Sequence, residues 1–382
     1  MDTTMSMSAA AGTAMDVTVI MLLTTILIPL VGIMMAITPY LMKKSECFAV
    51  TVPESALHDP YLQGLKRRYL VTMVLITAVL TLLGAVFSLT GKEFAVIVLI
   101  AVGALLIIVV GYGLMLHFRS KVRAYKKEQG WEAATQESVA LIDGEEIPRA
   151  ISLKWNLLYL PVMLLTLAIG YTGYVDMPDL VPMHVGLDGQ VDNYVVKTPL
   201  IVWNPVLIQA FLAIAFLFSH WVITRSKRLS NPHAPATSAL AYGMFARAQS
   251  LYLIAVGLII CILMVAMPLS FMGIITFMQS AVFIMIGALV AVIGAIAISV
   301  VYGQGGARVF ARMQASDKLL ADDDRYWKLG VFYYNPQDSS LFLLERFGVG
   351  WTVNFARPAI WAIMVGFTVL TVAFIVVISA IS

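Results

Sequence analysis

Apolar residues in this chain fall into long runs, not into the short alternating patterns of soluble domains. Runs of about 20 residues match the length that a helix needs to cross a hydrocarbon core of roughly 30 Å. Backbone amides within lipid must bond inside their own segment, so each run is predicted to be helical. The predicted spans are Val17–Met42, Tyr69–Leu89, Ala95–His117, Asn156–Tyr171, Ile201–Ile223, Leu251–Met272, Gln279–Tyr302 and Pro358–Ile381.

The composition agrees with this pattern. Of the 382 residues, 60% are hydrophobic and only 12% are charged, which is about half the charged fraction of a soluble domain. The sequence therefore predicts an all-α polytopic membrane protein with about eight transmembrane helices and small β-rich cytoplasmic elements.

Basic residues are distributed unevenly between the two sides of the predicted membrane. Of the 25 Lys and Arg residues, only Lys92 and Lys197 lie in one set of alternate loops. The other 23 lie in the segments 43–68, 118–155, 224–250 and 303–357. Cytoplasmic loops carry the excess of Lys and Arg, so these segments are predicted to be cytoplasmic. Both termini are then extracellular, in a cell-membrane protein.

The spans and loops divide the chain into five predicted regions. They are an N-terminal three-span region (1–150), a two-span unit with an outer loop (151–223), a second two-span region (224–302), a cytoplasmic domain (303–357) and a last helix (358–382).

Strand-forming residues occur in two of the cytoplasmic segments. Trp327–Tyr334 is followed by a turn at Asn335–Asp338 and a returning stretch, Leu341–Phe347. Cys47–Val52 is predicted to be another short strand, ended by Pro53. Together these pieces are expected to form a small sheet against the inner membrane face.

Other polar segments carry simpler predictions. Asp322–Asp324 and Asp143–Glu146 are expected to be solvated runs of charge, and Ser230–Ser238 a flexible loop. Gly303–Gly306 follows a span and lacks the Lys-Ser/Thr of a phosphate-binding loop. It is therefore predicted to be a hinge or a helix end.

The outer loop, residues 172–200, is the most distinctive local feature. It carries four Asp residues against Lys197 alone, a net charge of −3, which would attract a cationic ligand. Asp188 and Gly189 suit a tight hairpin turn. In that register His184 faces Asn193 across the hairpin.

The flanking strands of this hairpin are predicted to be Val181–Leu187 and Gln190–Val196, with Asp192 on the face opposite His184. His184, Asp188 and Asp192 could hold a divalent metal. With one His and no second nitrogen or sulfur ligand, zinc is disfavoured. We expect His184 to order the loop through hydrogen bonds, with no metal and no cofactor.

The chain offers little for catalysis or ion coupling. It contains no HExxH, GxSxG or kinase-like motif, and Cys47 and Cys261 show neither a zinc spacing nor a disulfide pattern, so no enzyme is predicted. The spans lack ionisable residues at mid-depth, where ion-coupled transporters place them. The amides within the spans, Asn204 and Gln209, are expected to bond between helices. His117 and His220 are expected to be interfacial anchors.

Six residues of the outer loop form a recognisable pattern: Pro182, His184, Gly189, Asp192, Tyr194 and Lys197. This pattern resembles the outer loop of the SdpI-like family of bacterial membrane proteins, although Val185 stands where that family usually has Trp. The segment Arg325–Phe355 resembles an uncharacterised domain that often ends longer relatives. The resemblance implies a ligand-binding set of His184, Asp188, Gly189, Asp192, Tyr194 and Lys197.

The resemblance also implies a function in immunity to, or sensing of, a secreted antimicrobial peptide. The first hypothesis is therefore a binding and signalling membrane protein with an extracellular peptide ligand and a cytoplasmic protein partner. A transporter or permease for an amphipathic substrate is the alternative, and a structural member of a larger complex is a third hypothesis. The expected partners are thus the lipid bilayer, an extracellular peptide and a cytoplasmic protein, and no direct binding of nucleic acid is expected.

Overall fold

A computed structural model describes residues 21, 25–43, 45–131, 147–185, 191–227, 234–313, 323–348 and 350–381. Its helices are α1 (Thr25–Leu41), α2 (Pro60–Leu89), α3 (Glu93–Glu128), α4 (Tyr159–Thr172), α5 (Trp203–Arg225), α6 (Pro235–Leu263), α7 (Ala266–Phe271), α8 (Phe277–Tyr302), α9 (Ala307–Met313) and α10 (Pro358–Ile381). Its strands are β1 (Glu46–Cys47), β2 (Val50–Thr51), β3 (Leu180–Val185), β4 (Val191–Val196), β5 (Trp327–Lys328), β6 (Phe332–Tyr333), β7 (Phe342–Leu344) and β8 (Trp351–Val353).

Seven helical segments of the described residues are long and apolar enough to cross a membrane. They are Pro60–Leu89, Phe94–Glu128, Leu153–Thr172, Pro199–Arg225, Pro235–Phe271, Phe277–Met313 and Pro358–Ile381. They correspond to the second to eighth predicted spans, which confirms an all-α polytopic membrane protein. The first predicted span, Val17–Met42, lies partly outside the described residues. Its described part contains the shorter apolar helix α1.

Several helices extend well beyond the predicted spans. Helix α2 begins at Pro60, where the Asp59 side chain caps the first turn by accepting hydrogen bonds from the backbone N–H groups of Tyr61 and Leu62. Helix α6 begins at Pro235, so the prediction of a loop over 224–250 is wrong for its second half. Hydropathy marks only the part of a helix that lies in lipid, and these extensions lie beyond it.

The strands form four separate two-stranded antiparallel hairpins. The predicted pairing of Trp327–Tyr334 with Leu341–Phe347 is therefore wrong, because each stretch belongs to its own hairpin. The chain reverses within the first stretch, where Leu329 and Gly330 adopt positive φ. Cys47–Val52 likewise is not one strand, since it turns back on itself between β1 and β2.

Polar side chains connect the helices inside the membrane-spanning region. The Gln209 amide of α5 donates hydrogen bonds to the Thr166 hydroxyl and to the Cys261 carbonyl, both at 2.8 Å. One side chain thus joins α4, α5 and α6. The close approach of α4 to α6 depends on Gly257, where an added Cβ would lie 2.4 Å from the Tyr159 hydroxyl oxygen.

His220 is a buried link, not the interfacial anchor indicated by the sequence. Its Nε2 lies 3.0 Å from the Ile151 carbonyl oxygen and its Nδ1 lies 2.9 Å from the Asn156 amide nitrogen. A carbonyl can only accept, so Nε2 carries the hydrogen and Nδ1 accepts from Asn156. His117, in contrast, is exposed at its place on α3.

Candidate functional site

Two regions at opposite ends of the helices hold the candidate functional residues. We call the end with the β3–β4 hairpin the hairpin face. We call the other end, with the remaining three hairpins, the basic face. The hairpin face is the predicted outer side and the basic face is the predicted cytoplasmic side.

The β3–β4 hairpin has one packed side and one exposed side, as the period of two in a strand requires. Val181 and Val195 are paired, and both pack against the protein. Leu180 and Val196 form the neighbouring pair and are 55% and 65% exposed. Tyr194 is exposed as well. The packed side lies on a cluster that includes Met177, Ile201, Val202 and Phe271.

Lys197 fixes the hairpin to the end of α4. Its ammonium group donates to the carbonyl oxygens of Met177 at 2.7 Å and Val175 at 3.2 Å. The same group lies 4.9 Å from the centre of the Tyr174 ring. Its backbone N–H also donates to the Asp179 carbonyl at 2.8 Å. These contacts give Lys197 a structural part in holding the loop.

The predicted pairing of His184 with Asn193 is confirmed. The rest of the ladder differs by one residue from a simple two-residue turn, since Val181 pairs with Val195. A register irregularity between Pro182 and His184 accounts for the difference. Pro182 lacks a backbone N–H, and such residues are found at strand edges and bulges.

The remaining residues of the predicted set are only partly placed. Asp188 and Gly189 lie outside the described residues, and Asp192 is described only as a backbone position of β4. His184 and Tyr194 are exposed on the hairpin, whereas Lys197 lies at the opposite end of β4. Within the described part of the chain, no group of three His, Cys, Asp or Glu residues could hold a metal ion.

Arg346 is the centre of a buried network on the basic face that the sequence did not predict. It is 3% exposed and lies over the Trp327 ring, 5.1 Å from its centre. Its guanidinium bonds to the Asp323 and Asp324 carboxylates, to the Thr51 hydroxyl at 3.0 Å and to the Ala49 carbonyl at 3.3 Å, with Glu46 Oε1 at 3.8 Å. We call this group the Arg346 network.

Asp324 joins the same network to α3. It accepts hydrogen bonds from the Thr51 backbone N–H at 3.1 Å and from the Thr51 hydroxyl at 2.8 Å. It also bonds to the Lys126 ammonium at 2.9 Å. Burial alone would raise the pKa of Asp324, but the charges and hydrogen bonds of Arg346 and Lys126 outweigh it and lower the pKa to about 2. Asp323 and Asp324 are therefore not the solvated run of charge that we expected.

Arg119 ties α3 to two of the hairpins. It is 3% exposed and donates to the carbonyl oxygens of Ala49, in the β1–β2 turn, and of Trp327, in β5, the latter at 3.3 Å. A buried arginine saturated by carbonyl oxygens fixes backbone positions. The turn before the second span and the C-terminal segment are thus held against one helix.

Gln304 fastens the C-terminal hairpin to the end of α8. Gly303 ends that helix with φ of 66°, which confirms the predicted helix end. The Gln304 amide then donates to the carbonyls of Glu345 at 3.1 Å and Gly350 at 2.7 Å, and it accepts from the Gly350 N–H at 3.0 Å. Burial raises the pKa of the Glu345 side chain to about 7.

Helix α5 contacts both faces. At its start, Ile201 and Val202 of the preceding turn lie in the cluster beneath the β3–β4 hairpin. Just after its end, the Lys227 N–H donates to the Phe342 carbonyl at 2.8 Å. The Lys227 ammonium bonds to Asp338 at 2.6 Å. Its 23 residues correspond to about 35 Å of helix.

Comparison with known families places two segments of the chain. Residues 161–208 match a family described as Domain of unknown function (DUF1648), and residues 336–361 match a Family of unknown function (DUF5808). No curated protein and no solved structure matches significantly. The first match covers the β3–β4 hairpin and the second covers β7, β8 and the start of α10. The two matched segments are those that α5 joins.

Proposed function

We propose that this protein is a membrane receptor whose β3–β4 hairpin binds an extracellular peptide. The observation that carries the proposal is the exposed side of the hairpin, where Leu180, Tyr194 and Val196 are each more than half exposed. Native proteins usually protect open strand edges with charges or cover them. In the described part of the chain, no third strand pairs with β3 or β4. A peptide could add to such an edge as a further strand.

Charge narrows the class of peptide. The loop carries a net charge of −3, and its one cation, Lys197, is engaged with carbonyl oxygens. A cationic, amphipathic peptide would therefore be attracted by the acidic loop, and it would cover the exposed apolar side chains of the hairpin. Many secreted antimicrobial peptides have this chemistry, in agreement with the resemblance to SdpI-like immunity proteins.

Helix α5 supports a signalling function, because it contacts the hairpin cluster at one end and the C-terminal hairpins at the other. A shift of the hairpin on binding would act on Ile201 and Val202 and, through the helix, on Lys227 and Phe342. A cytoplasmic protein partner would then detect the change at the basic face. Immunity and sensing are two outcomes of the same binding event in this proposal.

A survival assay in a peptide-sensitive Gram-positive host tests the proposal. The host would express the protein and meet secreted cationic peptides from related strains. The test variant is the triple change Leu180→Ser, Tyr194→Ala and Val196→Ser. The matched control is Val175→Ser, which removes an 82% exposed apolar side chain close to the hairpin but outside both strands.

Protection by the wild type and by Val175→Ser, with loss in the triple variant at equal membrane abundance, is the expected result. Equal protection by the wild type, the control and the triple variant would mean that the exposed side of the hairpin is not the binding site. The double variant His184→Ala, Asp192→Ala separately tests the residues implied by the family resemblance. If the double variant loses protection while the triple variant keeps it, binding would lie near the tip of the loop and not on the exposed side of the hairpin.

The transporter alternative draws less support from the described spans. Three of their buried polar side chains hold the segments together: Gln209 bonds to two neighbouring helices, and His220 bonds to Asn156 and to the Ile151 carbonyl. Protein-dependent flux of an amphipathic peptide into sealed vesicles, unaffected by the triple hairpin change, would favour the transporter over the receptor.

A further inference from the structure

The β5–β6 hairpin on the basic face presents apolar side chains at an unusual position. Leu329 lies in its turn with φ of 50° and is 58% exposed. Positive φ is unfavourable for an L-residue because its Cβ crowds the following carbonyl oxygen, and Gly or Asn is the usual choice there. Phe332, just beyond the turn, is 46% exposed. The positive φ makes a leucine unfavourable in this turn. Exposure of its apolar side chain to water would be a second unfavourable contribution.

Contacts on one side of the turn place it at membrane depth. The Leu329 carbonyl accepts a hydrogen bond from the Tyr112 hydroxyl at 3.3 Å. Tyr112 lies within the apolar run Ala95–His117, the part of α3 that is predicted to lie in lipid. The turn therefore reaches the level at which α3 enters lipid.

Contacts on the other side lead to the last span. The Phe332 ring lies 5.6 Å from the Phe355 ring, which lies 6.0 Å from the Trp361 ring. Trp361 is in the first turn of the membrane-spanning α10 and is 53% exposed. Tryptophan at a span end is typical of the membrane–water interface. The aromatic row thus continues from α10 onto the hairpin.

Basic side chains accompany this apolar edge. Arg325 and Lys328 flank the turn and are both exposed. The carboxylates of Asp323 and Asp324, which precede Arg325 in the sequence, are bonded to Arg346. Apolar side chains beside exposed cations suit a leaflet that contains anionic lipids.

From these contacts we infer that the β5–β6 hairpin inserts into the headgroup region of the basic-face leaflet. Leu329 and Phe332 enter the acyl boundary, and Lys328 and Arg325 contact lipid phosphates. The hairpin also supplies Trp327 to Arg119 and Arg346. Lipid contact at the turn is therefore linked to the Arg346 network, independently of any ligand at the hairpin face.

Site-directed fluorescence on the full-length protein in vesicles tests this inference. Leu329→Cys and Phe332→Cys would be labelled with an environment-sensitive dye, which is selective because Cys47 and Cys261 are buried. Glu128→Cys is the depth control. Glu128 is exposed on the same helix as Tyr112, and it lies 16 residues further along, about 24 Å away.

Vesicles of phosphatidylcholine and phosphatidylglycerol would carry nitroxide lipids labelled at shallow positions. Quenching at positions 329 and 332 but not at 128 is the expected result. In anionic vesicles without nitroxide lipids, Lys328→Gln should lower the equilibrium constant for partition of the hairpin from water into the headgroup region about fivefold. Leu329→Asn, which suits positive φ, should fold normally and, in the 332-labelled protein, lose much of the quenching.

Quenching at 329 and 332 no greater than at 128, with equal access to aqueous iodide, would overturn the inference. Protection from iodide without quenching by lipid would also overturn it, since a protein would then cover the hairpin. Neither result bears on peptide binding at the hairpin face, so failure here is distinguishable from failure of the proposed function.

Discussion

Replacing Arg346 with alanine should detach the C-terminal hairpins from the segment that precedes α2. The guanidinium is 3% exposed and bonds to the Asp323 and Asp324 carboxylates and to the Thr51 hydroxyl. Its removal deprives the half-buried Asp324 of one cationic partner and leaves the ion pair with Lys126. It also deprives Glu46, which is 6% exposed, of a cation at 3.8 Å and leaves Lys43 at 3.6 Å.

The size of the effect follows from that geometry. Breaking a buried ion pair by removing one partner costs about 3–5 kcal/mol. Each 1.4 kcal/mol is about a tenfold change in an equilibrium, so the opening equilibrium should shift by about 100-fold or more. Replacing all three charges together, as Arg346→Met with Asp323→Asn and Asp324→Asn, should cost less than Arg346→Met alone, because the two aspartates that bond to the guanidinium are then no longer left charged without it.

Hydrogen exchange of the full-length protein in detergent measures this change directly. Amides of residues 46–52 and 323–347 should lose protection together in Arg346→Ala. The matched control is Arg325→Ala, since Arg325 is exposed, donates to the hydroxyl of the neighbouring Tyr326 and lies over its ring. If protection of these amides in Arg346→Ala stays within twofold of wild type, the Arg346 network does not hold the C-terminal hairpins against the segment that precedes α2.

Three further predictions concern other parts of the molecule. Lys197→Met should speed hydrogen exchange throughout the β3–β4 hairpin, whereas Lys197→Arg should retain part of the protection. Gln209→Leu should lower the thermal midpoint in detergent by the equivalent of about 0.6–2 kcal/mol, because three helices lose one shared link. The basic face should become more stable as pH falls through about 7 towards 4.5, as Glu345 is protonated. The slope should be lost in Glu345→Gln, when thermal midpoints of the two proteins are compared across pH.

The sign of the pH effect follows from the direction of the shift. The folded pKa of Glu345 lies above its ordinary value of 4.5, so the folded state binds the proton more tightly and loses stability as pH rises through 7. Asp324 and Asp338 have pKa values of about 2 and stay ionised in this range. Their contribution is lost only as pH falls below about 4. An unchanged slope in Glu345→Gln would assign the effect to another group.

The sequence allowed the spans to be predicted because each apolar run is a local signal with one structural solution in lipid. The predicted pairing of His184 with Asn193 is present too, but its neighbours Pro182–Tyr194 and Val185–Val191 do not follow the predicted register, because irregularities lie on both sides of His184. The ends of α2 and α6 could not be located in this way, because those turns lie outside lipid. The available signals were the capping residue of α2, Asp59, and the proline at the first position of α6, Pro235.

The Arg346 network could not be predicted, for a different reason. Its members lie near residues 46–51, 119–126 and 323–346, and no local pattern relates segments that are so far apart. Asp323 and Asp324 have the composition of a solvated turn, and only the folded structure places them against Arg346. The ligand-binding set at the hairpin face stays a prediction, with His184 and Tyr194 placed on its exposed side.

The distance along the chain between Thr51 and Arg346, 295 residues, has a consequence for how the protein is made. Ribosomes add about 5–20 residues per second, so Thr51 and Glu46 precede Arg346 by roughly 15–60 s. Charged groups cannot wait in lipid without their partners, so this face must stay hydrated until nearly the whole chain has been synthesised. Closure of the network therefore follows synthesis of the C-terminal hairpins, and a truncated product lacking Arg346 would leave Glu46 without this partner and more open to quality-control proteases.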